Sequence, residues 1–144
     1  MIQTLNVSTK GEGSLRRTSQ GLHDITAEVT NIVRQSDVEQ GLCTLYIQHT
    51  SASLLIQENY DPSAKYDLEQ WLNRLVPEND PLYTHTLEGP DDMPAHIKAA
   101  LTASSLYIPI NQGELMLGTW QGIFLWEHRY ATEQRQVIVS VISG

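Results

Sequence analysis

Histidines and carboxylates are the groups in this 144-residue chain from which metal or acid–base chemistry can be built. Asp92 and His96 are spaced i,i+4, so on a helix they share a face, and the carboxylate can orient the ring or act together with it. His49, His85 and His96 are separated by 36 and 11 residues, which matches no local ligand motif. If folding brings them together, three imidazoles make a transition-metal site of the Zn, Ni or Mn kind. Thr50-Ser51-Ala52-Ser53 follows His49 and sets hydroxyls beside a base, but no G-x-S-x-G elbow surrounds them. They read as hydrogen-bond donors to a phosphate or substrate, or as plain strand residues. The stretch 118-GTWQGIFLWEHR-129 is an apolar strand that ends in three polar groups. Strand parity puts Ile123, Leu125, Glu127 and Arg129 on one face and Trp120, Phe124, Trp126 and His128 on the other, provided that Gly122 makes no bulge. The expectation is an aromatic body packed in the core or against a second subunit, with a polar end reaching a cleft that contains His49, His85 and His96. Glu127 is then the functional carboxylate and Arg129 an ion-pair or anion partner. His23, in a turn, and His128 are expected outside the chemistry.

These residues need elements to hold them. IQTLNVST reads as a first strand ending in a turn at 10–13, and DITAEVTNIVRQSD as a helix near 24–36 with Asp24 as its N-cap. GLCTLYIQHTSASLLIQE alternates as a strand, which would put His49 on the face of Cys43. Asp61-Pro62 opens a second helix over 62–75, where Ala64, Leu68, Trp71, Leu72 and Leu75 keep one apolar face. The turn-rich acidic segment PENDPLYTHTLEGPDD is an exposed loop carrying His85. A third helix runs from 93 to 102, and 111–114 turns a hairpin between apolar runs. QVIVSVIS closes the chain as a strand. The order predicts an α+β fold: one domain over 1–144, a mostly antiparallel, sandwich-like sheet and about three helices.

Composition sets limits on the function. Seventeen acidic against nine basic residues give a formal charge of −8, which repels polyanions and argues against nucleic acid or an anionic membrane as partner. The single cysteine, Cys43, can form no internal disulfide, no apolar run approaches a membrane span, and the N-terminus lacks the order of a secretory signal. A reduced, cytoplasmic protein is expected.

Four ordered motifs, HTSASLLIQENYDPS at 49–63, EGPDDMPAHIKAAL at 88–101, SLYIPINQGEL and GTWQGIFLWEHR, resemble the YjbQ family over essentially the whole chain. The resemblance implies a small homotrimeric α+β protein with secondary thiamine-phosphate synthase activity, joining hydroxymethylpyrimidine diphosphate to thiazole phosphate and expelling pyrophosphate. A small-molecule or metal-binding protein whose synthase activity is incidental is the other reading. Loss of pyrophosphate requires stabilisation of the departing charge, and in so acidic a chain a divalent metal is the economical source. Diphosphate chemistry favours Mg²⁺ on Asp91 and Asp92, whereas imidazoles favour a metal such as Zn²⁺. The same carboxylates can instead cap the third helix. The resemblance makes His49 and His96 catalytic candidates beside Glu127, and Asn59, Asp61 and Asp92 polar candidates for substrate, although Asp61 is also the simplest cap of its helix. Lys98, a further substrate-binding candidate, lies two residues beyond His96 and roughly 200° around the helix. One ligand would then draw on more than one subunit.

Overall fold

Alternation of buried and exposed residues builds two antiparallel sheets in the computed structural model, which describes residues 1–11, 19–132 and 134–144. The turn expected at 10–13 lies partly outside the described residues. In chain order the elements are β1 (Ile2–Ser8), β2 (Gly21–Asp24), α1 (Thr26–Gln35), β3 (Gln40–Ile47), β4 (Ala52–Glu58), α2 (Pro62–Leu75), α3 (Asp92–Leu101), β5 (Ser105–Asn111), β6 (Glu114–Leu115), β7 (Gln121–Glu127) and β8 (Gln134–Ser143). One sheet has the order β1-β8-β3-β5-β6, the other β2-β7-β4. The architecture is the expected α+β arrangement of three helices on antiparallel sheets.

The core forms where inward positions of both sheets meet. Cys43, Leu45 and Ile47 of β3, Val137, Val139 and Val141 of β8, Ile108 and Ile110 of β5 and Ile123 and Leu125 of β7 are all buried there, and Val29, Ile32 and Val33 of α1 join them. A second apolar layer lies on the other side of β7, where Phe124 and Trp126 meet Leu22, Leu72 and Val76. Residues 122–128 are therefore buried on both faces of the strand, as expected for a central strand between a sheet and helices. The pairing of β7 with β4 runs without interruption from Glu58↔Gln121 to Ala52↔Glu127, so Gly122 makes no bulge and the parity holds. Its role is close approach: a Cβ there would come within 2.7 Å of Asn59 Cβ.

Three expectations are corrected. The long strand through His49 is two strands in different sheets, because β3 pairs with β5 and β8 while β4 pairs with β7, and residues 48–51 make the crossing. His23 lies in β2, opposite Leu125, and not in a turn. That strand has only four residues, too few to show a period, and its partner is about a hundred positions away. Asp24 accepts from Thr26 N at 2.9 Å, but the N-cap of α1 is Ile25. The proline-led α2 matches its expected bounds, and Asp61 caps it by accepting from Ser63 N at 2.9 Å. At 112–113, Gln112 and Gly113 both have positive φ, the geometry that a two-residue hairpin turn requires. Among the described residues no helix is long and apolar enough to cross a membrane.

Candidate metal centre

The first turn of α3 gathers most of the polar candidates. Asp91 and Asp92 are both buried, yet neither side chain caps the helix. Asp91 Oδ2 accepts from Arg129 Nε at 3.0 Å and from Tyr130 N at 2.9 Å. Asp92 divides its oxygens. Oδ1 accepts from Arg129 Nη1 at 2.6 Å, while Oδ2 lies 2.8 Å from His85 Nε2 and 3.3 Å from His96 Nε2. His85 reaches this point from the 77–91 loop, which is folded back on itself by Tyr83 Oη donating to Pro77 O at 2.9 Å and Leu82 N donating to Asp80 Oδ1 at 2.9 Å. The His85 and His96 rings meet edge to face, 5.3 Å between centroids. One ligand atom from each of His85, Asp92 and His96 falls within 4.8 Å of the others.

The hydrogen bond of His96 bears on what this cluster can hold. His96 Nδ1 lies 3.0 Å from the carbonyl oxygen of Thr50, which can only accept, so Nδ1 carries the proton. On the neutral ring Nε2 is then a lone pair facing another acceptor, Asp92 Oδ2, at 3.3 Å. Two acceptors at that distance repel unless a proton or a cation lies between them. A ring proton donated to a backbone carbonyl is also the usual support for a metal-ligating histidine. Ligands of one ion at about 2.0–2.2 Å stand roughly 3–3.5 Å apart; Asp92 Oδ2 is already 2.8 Å and 3.3 Å from the two rings, while the group as a whole spans up to 4.8 Å and would have to draw in to share one ion. The side chains present fit a metal ion. The cluster is open to solvent, with His85 half exposed and a cavity of about 340 Å³ beside it, lined in part by Tyr83, Thr86 and Met93.

Other expected members stand elsewhere. His49 is not in the cluster: beyond the end of β3 its Nε2 accepts from Gln136 N at 2.9 Å. Burial, and then Arg135, push its pKa below the ordinary histidine value against the opposing pull of Glu127, which favours the neutral ring. Glu127 does not reach the imidazoles either. It faces the core between the sheets, fully buried, where its carboxylate takes Arg135 Nε at 2.8 Å, Arg135 Nη2, and Arg129 N at 3.2 Å. A carboxylate at an inward strand position must be paired, and its partner is the guanidinium at the inward position of β8. Arg135 carries no motif in the sequence, although it shares the parity of Val137, Val139 and Val141. A charge on that buried face was the available signal.

Residues 48–51 are tied from several sides. Thr50 gives its carbonyl to His96, and Ser51 accepts from Arg135 Nη2 at its carbonyl (3.2 Å) and its hydroxyl (2.9 Å). Asn59 and Asp61 lie past the far end of β4, whose length at about 3.3 Å per residue puts Asn59 roughly 25 Å from Ser51. Lys98 turns away from His96, as the helical spacing requires. It is buried, and its Nζ donates to Asn73 Oδ1 at 2.5 Å. Burial lowers its pKa, while Glu78 and Asp91 oppose that shift. His128, also buried, pairs Nε2 with Ser53 Oγ at 2.9 Å, and burial, with Lys98 and Arg135, drives its pKa down to about 3.

Comparison with known proteins places this chain in a known group. Residues 12–144 match the family model described as UPF0047 protein YjbQ-like. The chain is 53% identical over 122 residues to the UPF0047 protein sll1880 of Synechocystis, covering 85% of this chain and 83% of that one. It is 43% identical over 140 residues to the UPF0047 protein YjbQ of Escherichia coli O157:H7, covering 96% and 95%. Among solved structures, a conserved protein of the yjbq/upf0047 family from Clostridium acetobutylicum superposes with a TM-score of 0.80 at 34% identity, covering 99% of each chain. A YbjQ-like protein of unknown function from Sulfolobus solfataricus, 24% identical, shares the fold with a TM-score of 0.85 over 100% of this chain and 97% of that one.

Proposed function

Because the chain belongs to the YjbQ-like UPF0047 family, we propose that it is a metal-dependent enzyme acting on small phosphorylated molecules in the cytoplasm. The proposed reaction is the secondary thiamine-phosphate synthase reaction that the motif resemblance implies. The carbon–oxygen bond of hydroxymethylpyrimidine diphosphate breaks, pyrophosphate leaves with the electron pair, and a bond forms to the nitrogen of thiazole phosphate. The observation that carries the reading is the convergence of His85 Nε2, His96 Nε2 and Asp92 Oδ2 on one point. His85, His96 and Asp92 would hold the ion, and two imidazoles with one carboxylate favour a transition metal such as Zn²⁺ over Mg²⁺. Such an ion would supply Lewis-acid stabilisation of the departing charge. Arg129 fixes the Asp92 carboxylate from its other oxygen, and the Thr50 carbonyl fixes the His96 ring.

The test pairs metal analysis with turnover. Purified protein should hold a divalent metal and release pyrophosphate from the two precursors above background, and Asp92→Asn should lose both. If Asp92→Asn retained the full rate, the turnover would not depend on this cluster and the metal-dependent transferase reading would be lost.

One observation favours the second reading, a metal- or small-molecule-binding protein with incidental synthase activity. His85 is 50% exposed and His96 32%, and a pyrimidine cation formed in so open a site would be captured by water. Assembly answers that objection if a second copy covers the site. The outward positions of β1, β3, β5 and β8 carry no charged residue, although the chain is rich in acids, and Ile2, Leu42, Tyr46, Tyr107 and Ile142 are exposed on them. Such a face fits association of identical chains. The homotrimer that the resemblance implies should scatter light with a mass close to three times 16.2 kDa, and a monomer at micromolar concentration would refute it.

A further inference from the structure

Loop 48–51 also forms a wall of a different cavity. A cleft of about 540 Å³ lies against it, lined among others by Gln48, His49, Thr50, Ser51, Ser104 and Arg135. That volume is within the range of small-molecule sites. Its lining contains no aspartate or glutamate, whereas each of the other described cavities has at least one carboxylate in its wall. In a chain of net charge −8 this wall is locally free of acids, and its one charge, Arg135, is balanced from behind by Glu127.

The wall also presents donors. His49 Nε2 accepts from Gln136 N, so on the neutral ring Nδ1 must carry the proton, and it has no partner among the described residues. Ser51 Oγ accepts from Arg135 Nη2 and keeps its own O–H to donate. Thr50 and Ser104 add hydroxyls without hydrogen-bond partners among the described residues. Arg135 is nine-tenths buried. Its Nε and Nη2 are taken by Glu127 and Ser51, while Nη1 has no partner among the described residues. Glu127 holds the guanidinium from behind, so its plane is fixed before any ligand arrives.

We propose that this cleft is an oxyanion subsite that takes the phosphate or diphosphate group of a small phosphorylated molecule, with His49 Nδ1, the Ser51 hydroxyl and Arg135 Nη1 as donors. Assigning a phosphorylated ligand rests on the proposed function, but the donor set stands without the metal. The cleft adjoins the cluster through Thr50, whose carbonyl orients His96. His49 then acts on substrate as a hydrogen-bond donor and not as a metal ligand.

The test uses pyrophosphate, inorganic phosphate and acetate on protein stripped of metal by a chelator and then desalted, followed by the imidazole NMR signals of His49. Pyrophosphate should shift them saturably with a Kd of about 1 mM or tighter, the affinity of a few net hydrogen bonds. Phosphate should bind more weakly and acetate least. Ser104→Asp, which adds a carboxylate to the wall without touching the Glu127–Arg135 pair, should weaken pyrophosphate at least ~10-fold, whereas Asp92→Asn should not. Failure of the protein to bind metal would remove the metal centre and leave this result standing. No saturable shift at His49, unchanged binding in Ser104→Asp, or loss of binding in Asp92→Asn would each overturn the subsite.

Discussion

Glu127→Gln separates a structural carboxylate from a chemical one. The side chain is fully buried and accepts three hydrogen bonds, two from Arg135 and one from Arg129 N. The amide keeps one acceptor oxygen but turns an NH₂ toward a donor and leaves the Arg135 guanidinium, itself buried, without a counter-charge. Removing one partner of a buried pair costs about 3–5 kcal/mol, and the retained oxygen argues for the lower end, about 3 kcal/mol. For a chain of this length each kcal/mol moves Tm by roughly 2–4 °C, so a drop of about 10 °C is expected. Thermal unfolding followed by circular dichroism at one fixed protein concentration measures it, since any assembly makes Tm concentration-dependent. Metal content of the folded variant should stay at the wild-type level. Glu127→Gln with Arg135→Met removes both charges and should recover part of the loss. A variant with unchanged Tm and lost metal would refute this reasoning and return Glu127 to the chemistry.

Arg129→Lys keeps the charge but loses the planar fork that holds Asp91 and Asp92 together, so metal affinity measured by competition with a chromophoric chelator should fall by about 10-fold or more. Unchanged affinity would mean that Asp92 needs no support from it. His128 has a folded pKa near 3 against an ordinary 6.5, so the unfolded chain binds the proton first. Its contribution is complete above about pH 6.5 and is lost as pH falls toward 3, on the order of a few kcal/mol. Denaturant midpoints measured across that window should decline in the wild type and less steeply in His128→Gln; equal slopes would refute the assignment. Trp120 is 56% exposed and meets Tyr60 edge to face at 4.7 Å, so Trp120→Ala should cost the single chain no more than about 1 kcal/mol. A loss of several kcal/mol that depends on protein concentration would show that the indole is covered by another subunit.

Much of the fold was legible because its signals are local. Asp61-Pro62 marks the start of α2 through a cap and a fixed φ, and the apolar period carries it to Leu75. The α3 spacing of Asp92 and His96 survives intact, and the loop histidine expected near them is there. Long-range pairing was not legible. β2 is found only through β7, and the break at 48–51 follows from the two halves of one apolar run joining different sheets. The site is illegible for the same reason. Residue type groups His49 with the other imidazoles, but its ring is held by the backbone of β8. The buried arginine that neutralises Glu127 lies eight positions onward, where parity alone marks it.

The polar end of β7 is better understood as a joint than as a set of ligands. Because β7 is central and buried on both sides, its last residues reach three different neighbours. Glu127 points between the sheets and, through Arg135, fixes β8 and Ser51. His128 points the other way and meets Ser53 of β4. Arg129, just past the strand, clamps both carboxylates at the start of α3 and the carbonyl of Glu88 at 3.0 Å. The loop carrying Thr50 and the helix carrying Asp92 and His96 are thus referenced to one rigid strand, although they are about forty residues apart in sequence. Charges buried this deeply are expensive to keep unless paired, as Glu127 is with Arg135, and here the pairing holds the Thr50 carbonyl within reach of the His96 ring. That distance decides which nitrogen of His96 carries the proton, and so whether a lone pair is available at the cluster.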